Sequence, residues 1–441
     1  MEAMFDHWVR RRMAALGEGR GWCALAVAVG FVTQGLLILV LADQEGGGGP
    51  DSIEYARHAT NLLDQGLYSL DGVRPDRMRQ PLYPLFVAGV YAVLGRDNFA
   101  VYAVQVLVGC VSIAMTVGLA RTLGLSPAMA GCAGLMVAVY PPFARLAGMV
   151  VTETLSTLLW LATAWMFVIV ARSGRNWHAL ALGAVVGLHA LCRPVSALFL
   201  PLFVGGLWYG GMSALRTLRA GVLLFLGFGL VVLPWGIRNA VVLGTPTILS
   251  SEGGAVLYLA MRPDRELVWA GDMGRFVTSS EVRALIGDEY YISEAADAGF
   301  RREAVTLFLQ DPVGALRRGL LGSVKMWLYM PGGLTVTRGR PWLWIPVVTL
   351  PTSVLLLALY GGVRFRSRLA RVLIVALPAY FTLVHVPTIA HARFTLPLFP
   401  LMAIGAVVGV QSLVSRGLRD ERPHGASREV VPSTPPARDV T

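Results

Sequence analysis

Two carboxylates three residues apart, Asp51 and Glu54, sit early in the stretch GGGGPDSIEYARHATNLLDQGLYSL, residues 46–70. An acid there has two compatible readings. As a helix cap, Asp51 accepts backbone N–H bonds while Glu54 reaches back, a variant of the capping box. As a chemical group, a carboxylate held rigidly at a membrane surface takes a proton from a hydroxyl. A second acid, Glu153 in VVTETL, stands at the mouth of an apolar run. Either Thr152 caps that helix and Glu153 complements its dipole, or Glu153 is a functional ionisable group at a span end. Arginines recur at similar places: Arg79 in RMRQPLYP, Arg193 in LCRPV, Arg238 beside Asn239 in PWGIRN, and Arg393 in HARFTLPLFP. One such arginine alone reads as snorkelling to lipid headgroups. Four together point to an anionic ligand, because guanidinium forks bind phosphate through charge-assisted bonds. His385 and His391 flank Pro387 at a spacing that makes no metal pair, and SSEGG (250–254) reads as a turn open to close backbone approach.

These residues need a scaffold, and composition says which kind. The 441 residues are 55% hydrophobic and only 15% charged, below the roughly 25% charge of a soluble domain. Apolar runs near 20 residues recur, each enough to cross about 30 Å of hydrocarbon. Spans fall at about 22–42, 98–120, 125–140, 154–171, 177–192, 194–212, 220–236, 342–361, 370–387 and 394–414. An all-α polytopic membrane protein with about ten transmembrane helices follows. Trp22–Leu41 is too long for a signal-peptide core and no small-residue cleavage site follows it, so it is a retained span. The segment 81–95, PLYPLFVAGVYAVLG, is short and carries two prolines, which makes it a re-entrant or interfacial piece.

Arginine asymmetry orients the spans. With residues 1–21 inside, the arginine-rich short loops gather on one face, from Arg10–Arg12 through Arg121, Arg172, Arg216 and Arg364–Arg371 to Arg416. Counting 81–95 as a span would break that agreement. The polar segments 43–97 and 237–341 then share the outer face with Glu153, Arg193, Arg238, Asn239, His385, His391 and Arg393. The chain divides into a transmembrane core 22–236 that includes the first outer loop, an outer region 237–341 with surface helices broken at Pro312, terminal spans in 342–414 and a disordered inner tail 415–441. The formal charge is +11, nearly all of it arginine. No basic stripe with interleaved aromatics accompanies it, which argues against a nucleic-acid partner. Such arginine usage suits a GC-rich bacterial genome. The four cysteines lie inside apolar runs and form no disulfide or metal pattern.

The order of these motifs resembles the GT-C membrane glycosyltransferases. It is similar to bacterial relatives of dolichyl-phosphate-mannose protein mannosyltransferases (glycosyltransferase family 39) and of the lipid A aminoarabinose transferase. The likeness runs from about residue 22 to 412: Asp51 with Tyr55 four residues on, NLLDQGLYSL, Arg79 before PLYPLF, Glu153, Arg193-Pro194, PWGIRN, Gly253-Gly254 and RFTLPLFP. What the resemblance implies is transfer of a sugar from a polyprenyl-phosphate donor to an envelope glycan, lipid or protein acceptor. The site would lie on the extracytoplasmic face of a bacterial inner membrane. Asp51 inherits the catalytic carboxylate, Glu153 a second acidic position, and Tyr55, Arg79, Arg193, Arg238, Asn239 and Arg393 a substrate- and phosphate-binding role. Glu54, His385 and His391 remain further candidates. Some relatives place a base immediately before the proline where this chain has Gln80. Metal use differs among relatives, so no cofactor is assigned and a divalent metal stays open.

Rival readings are a transporter or ligase for lipid-linked glycans and a non-catalytic lipid-sugar binding protein. A transporter would want charges at mid-membrane and internal symmetry, and neither is visible in the sequence.

Overall fold

The computed structural model describes residues 2–41, 49–248, 250–262, 293–330 and 341–420. The tail beyond Asp420, and residues 263–292 and 331–340 of the long outer segment, lie outside the described residues. The described chain is an all-α polytopic membrane fold. Among the described residues, six helices are long and apolar enough to span: Gly19–Val40, Asn98–Thr122, Glu153–Ser173, Ala214–Leu243, Trp344–Arg364 and Ala392–Arg416. The other proposed spans fall on shorter or broken helices. One is a pair, Pro127–Val139 and Pro141–Ala147, bent by 52°. Pro141 and Pro142 supply no N–H and force the break after Tyr140.

In chain order α1 is Glu2–Leu41, α2 Gly49–Gln65, α3 Leu82–Leu94, α4 Asn98–Thr122, α5 Pro127–Val139, α6 Pro141–Ala147, α7 Glu153–Ser173 and α8 Asn176–Ala190. A 3-10 turn, Pro194–Phe199, leads into α9 (Leu200–Tyr209), and α10 is Ala214–Leu243. The outer segment supplies α11 (Gly253–Met261), α12 (Glu294–Gln310) and α13 (Pro312–Leu328). Then follow α14 (Trp344–Arg364), α15 (Arg368–Arg371), a π-helical turn at Val372–Ala376, α16 (Leu377–Val384), a 3-10 helix at Ala392–Leu398 and α17 (Phe399–Asp420).

Three apolar cores organise the molecule. The largest lies among the membrane helices, built on Ile113, Phe167, Phe203, Leu224, Leu373 and Ile404. A second joins α2 and α3 to α4 through Tyr55, Ala59, Tyr83, Val87 and Val101. Tyr55, His58 and Ala59 are buried at i, i+3 and i+4, the spacing of one helix face. α3 has 13 residues, too few to span. The third core binds α11, α12 and α13 through Tyr258, Phe300, Ala304 and Ala315. Close helix crossings rest on glycine: a Cβ on Gly227 of α10 would lie 2.0 Å from the Leu180 oxygen of α8, and one on Gly361 of α14 would lie 2.0 Å from the Gly405 oxygen of α17.

Candidate active site

The starts of α2, α7 and the final span meet the end of α8 at a cluster of opposite charges. α2 begins at Gly49, so Asp51 lies inside its first turn rather than at its cap. The capping reading is corrected by the contacts: Asp51 Oδ1 accepts a hydrogen bond from an Arg79 terminal nitrogen at 2.8 Å, and Oδ2 accepts one from Arg393. Glu54, one turn on, accepts from Arg79 Nε at 2.8 Å. Burial works against ionisation of Asp51, but Arg79 and Arg393 overcome it and hold the carboxyl below the ordinary range. Tyr55 packs edge-on to Tyr83, and the Arg79 guanidinium lies 5.1 Å from its ring centre. Burial pushes its phenol up, so the hydroxyl keeps its proton.

Glu153 opens α7 and is only 2% exposed. Thr152 holds the cap position but its hydroxyl makes no cap bond. Instead Arg193 approaches Glu153 Oε1 at 3.3 Å and Arg393 Nε lies 3.6 Å from the same oxygen. These contacts are long. Glu153 Oε2 and Arg393 Nε are buried without a hydrogen-bond partner. Arg193 also stacks 4.8 Å over the Phe394 ring. His391 Nδ1 accepts the Arg393 backbone N–H at 3.1 Å, and burial, helped by Arg393, lowers its imidazole to about 4. It is therefore neutral beside the site.

Arg79 has a third partner that no sequence motif indicates. Glu252, from the SSEGG turn, pairs with its other terminal nitrogen at 3.1 Å. The turn is fastened to residues 77–80: Ser250 Oγ donates to Met78 O at 2.6 Å, Ser251 N to Arg77 O at 3.2 Å, and Gln80 Nε2 to Ile248 O at 2.9 Å. Burial pushes the Glu252 carboxyl up to about 7; Arg79 opposes this, while Glu54 and Asp51 add to it. The glycines of the turn have a packing role, since Gly254 N donates to Asp297 Oδ1 at 2.5 Å and a Cβ there would lie 2.2 Å from the Asp297 carbonyl oxygen. Arg77, equally inconspicuous in the sequence, is 3% exposed and pairs with Glu294 at the start of α12.

Three expected ligands sit elsewhere. α10 continues through Pro234 to Leu243, so Arg238 and Asn239 are helical rather than in a loop after a span. Arg238 donates to the carbonyl oxygens of Asp76 at 2.7 Å and Tyr68 at 3.2 Å, and stacks on Trp235. Asn239 donates to Thr247 O at 2.6 Å. Between them they fasten the loop after α2 and the chain after α10 to that helix. His385 donates through Nδ1 to Phe381 O at 2.8 Å within its own helix. Among the described residues no group of three or more His, Cys, Asp or Glu side chains is placed to hold a metal ion. Asp51, Glu54 and Glu252 converge on a guanidinium instead.

A profile of the family described as dolichyl-phosphate-mannose-protein mannosyltransferase matches residues 75–236. Among solved structures, archaeal oligosaccharyltransferase AglB from Archaeoglobus fulgidus, in complex with an inhibitory peptide and a dolichol-phosphate, superposes with a TM-score of 0.54 at 13% identity, covering 90% of this chain and 52% of that one. The chain has a GT-C membrane glycosyltransferase fold. A second Archaeoglobus fulgidus oligosaccharyltransferase structure, tethered to an acceptor peptide, shares the GT-C fold with a TM-score of 0.53 at 11% identity, over 90% of this chain and 50% of that one. This chain thus spans about half the length of the archaeal proteins it matches. ArnT from Cupriavidus metallidurans, bound to undecaprenyl phosphate, aligns at 16% identity over 90% of this chain and 79% of that one, with a TM-score of 0.42. A search of curated proteins by sequence found no match.

Within this GT-C fold the profile match contains Arg79, Glu153 and Arg193. Asp51, Glu252 and Arg393 lie outside it and reach the same cluster from α2, the late turn and the start of the last span.

Proposed function

We propose that the protein is an inverting membrane glycosyltransferase. It moves a hexose or pentose, in the manner of a mannosyltransferase, from a polyprenyl-phosphate donor to an envelope glycan, lipid or protein on the extracytoplasmic face of a bacterial inner membrane. The observation that carries this reading is Asp51 clasped between Arg79 and Arg393 where the helix ends meet. A guanidinium that pairs with a carboxylate also pairs with a phosphate. The dolichol-phosphate in the archaeal relative of the same fold is a lipid phosphate of the class such a site would take.

In the resting arrangement Asp51 is a weak base, since both arginines stabilise its charge. Arrival of the donor phosphate changes that balance. Arg393 and Arg193 turn toward the phosphate oxygens, and Asp51 loses part of its stabilisation and gains basicity. The acceptor oxygen then attacks the anomeric carbon from the face opposite the phosphate. Its proton passes to Asp51, the bond between anomeric carbon and phosphate oxygen breaks, and the electron pair leaves with polyprenyl phosphate. One displacement inverts the anomeric centre. The arginines stabilise the charge that grows on the leaving oxygen, in a setting of low dielectric.

The test is an envelope-glycan mass spectrum of the source organism for wild type, deletion and Asp51→Asn, with membrane abundance of the variant checked. Loss of one and the same sugar mass in deletion and variant is the expected outcome. A deletion phenotype that Asp51→Asn rescues in full sinks the catalytic role and favours transport or binding.

A further inference from the structure

We infer that His58 is a positioning residue: its imidazole, held between α2 and residues 76–80, sets the distance between the α2 carboxylates and Arg79. The inference rests on the transferase reading for its catalytic consequence, but its structural core does not.

Asp51 and Glu54 ride on α2, whereas Arg79 rides on the irregular segment between α2 and α3. Something must fix one against the other, because a misplacement of about 1 Å can cost about 100-fold in rate. His58 is fully buried directly beneath Glu54, one helical turn on. Its Nδ1 lies 2.7 Å from the Glu54 carbonyl oxygen, and its Nε2 lies 2.9 Å from Asp76 Oδ1. A carbonyl oxygen only accepts, so Nδ1 carries a proton and donates it.

Asp76 completes the argument. It is 7% exposed, and its carboxylate already accepts the backbone N–H of Leu70 at 2.6 Å and of Met78 at 3.0 Å. Those bonds fix its carboxyl against the loop that leads to Arg79. The nearby cation Arg238 directs its donors to the carbonyl oxygens of Asp76 and Tyr68 and to Asn239, not to the Asp76 carboxylate. His58 Nε2 is the ring nitrogen that bonds the Asp76 carboxyl, so the imidazole ties α2 to the segment that carries Arg79. Tyr68, whose ring centre is 4.8 Å from that of His58, carries the contact onward by donating its hydroxyl to the backbone oxygen of Arg79 at 2.9 Å. A chain of contacts thus runs from the backbone of Glu54 through His58 and Asp76 to both sides of Arg79.

The experiment uses the full chain in lipid nanodiscs. In wild type, nitrogen NMR of labelled histidine should show a His58 Nε2 signal that shifts in Asp76→Asn; an Nε2 signal indifferent to Asp76→Asn overturns the inference. In His58→Gln, the Arg79 guanidinium signal, assigned through its loss in Arg79→Lys, should broaden or shift; an unchanged signal also overturns it. With a polyprenyl-phosphate sugar as donor, His58→Gln and Asp76→Asn should each lower kcat by about 100-fold with KM retained. The double variant should be no slower than the worse single one, because both remove one contact. Additive losses overturn the inference. If wild type transfers no sugar while the Arg79 signal still responds to His58→Gln, the transferase reading has failed and the positioning has not.

Discussion

Arg393 donates a hydrogen bond to Asp51 across 342 residues of sequence. The start of the last span thereby grips α2 at the carboxylate proposed to do the chemistry. Glu153 lies on the other side of the same guanidinium, at 3.6 Å. Arg393 thus touches both Asp51 and Glu153.

That placement separates the charge of Arg393 from its shape. Arg393→Lys keeps the charge but cannot form a fork to two partners. Hydrogen bonds between charged groups contribute about 1.5–3 kcal/mol, so loss of one should lower kcat/KM by about 10- to 100-fold. The loss should appear mainly as a higher KM for the lipid-phosphate donor, measured by steady-state transfer in detergent. An unchanged donor KM would remove Arg393 from the phosphate site.

Glu252 predicts a slope in stability against pH. Its carboxyl titrates near 7 in the folded protein against an ordinary 4.5. Between those values the folded state keeps a proton that the unfolded chain has released, so stability falls as pH rises through that window. The contribution is fully present below about 4.5 and gone above about 7. In Glu252→Gln that contribution disappears. Thermal unfolding of both proteins at pH 5 and pH 8 should show the wild type losing more Tm than the variant over this interval. Equal losses in the two proteins would refute it.

Much of this is legible in the sequence, for a physical reason. Apolar runs announce spans because lipid leaves backbone groups no other partner, and arginine asymmetry by itself assigns Asp51, Glu153, Arg193 and Arg393 to one face. What fails is the last step, from face to contact. Arg238 and Asn239 occur in a span-end motif like the others, but Pro234 does not stop α10, and the helix carries both side chains to backbone carbonyls. No local spacing distinguishes an arginine that meets a carbonyl from one that meets a carboxylate. Glu252 is hidden differently. Its turn stands out in the sequence for its glycines, and only the bonds from Ser250 and Ser251 to Met78 and Arg77 reveal that the turn delivers an acid to Arg79.

The packing that aims Arg393 gives a prediction about the fold. α14 and α17 approach so closely that a side chain at Gly361 would start 2.0 Å from the Gly405 oxygen, which is backbone and cannot swing aside. Gly361→Leu should destabilise by at least the roughly 1–3 kcal/mol of an overpacked core and displace α17, with the 3-10 helix that carries Arg393. Gly221 of α10, whose Cβ would make ordinary contact at 3.4 Å with Val204, is the control. Gly221→Ala should leave Tm close to wild type. A Gly361→Leu protein with wild-type Tm would mean that the close crossing is absent.

Glu153 offers the sharpest choice between two roles. Its carboxylate could serve to hold Arg193 and Arg393 in place, in which case its removal weakens binding of a lipid phosphate. It could instead compete with the phosphate for them, in which case its removal strengthens binding. The contacts decide. At 3.3 and 3.6 Å they are longer than charge-assisted bonds of about 2.7–2.9 Å, and one carboxylate oxygen has no partner at all. Such contacts orient the arginines weakly. A negative charge this close to a phosphate, by contrast, repels it by a few kcal/mol at an effective dielectric of about 20. Competition therefore wins, and Glu153→Gln should bind undecaprenyl phosphate about tenfold or more tightly while its kcat falls, because product leaves more slowly and the resting charge balance is lost. Titration of the purified protein with undecaprenyl phosphate, beside single-turnover transfer, separates the two effects. Weaker binding in Glu153→Gln would assign the residue to holding the arginines and not to releasing the product.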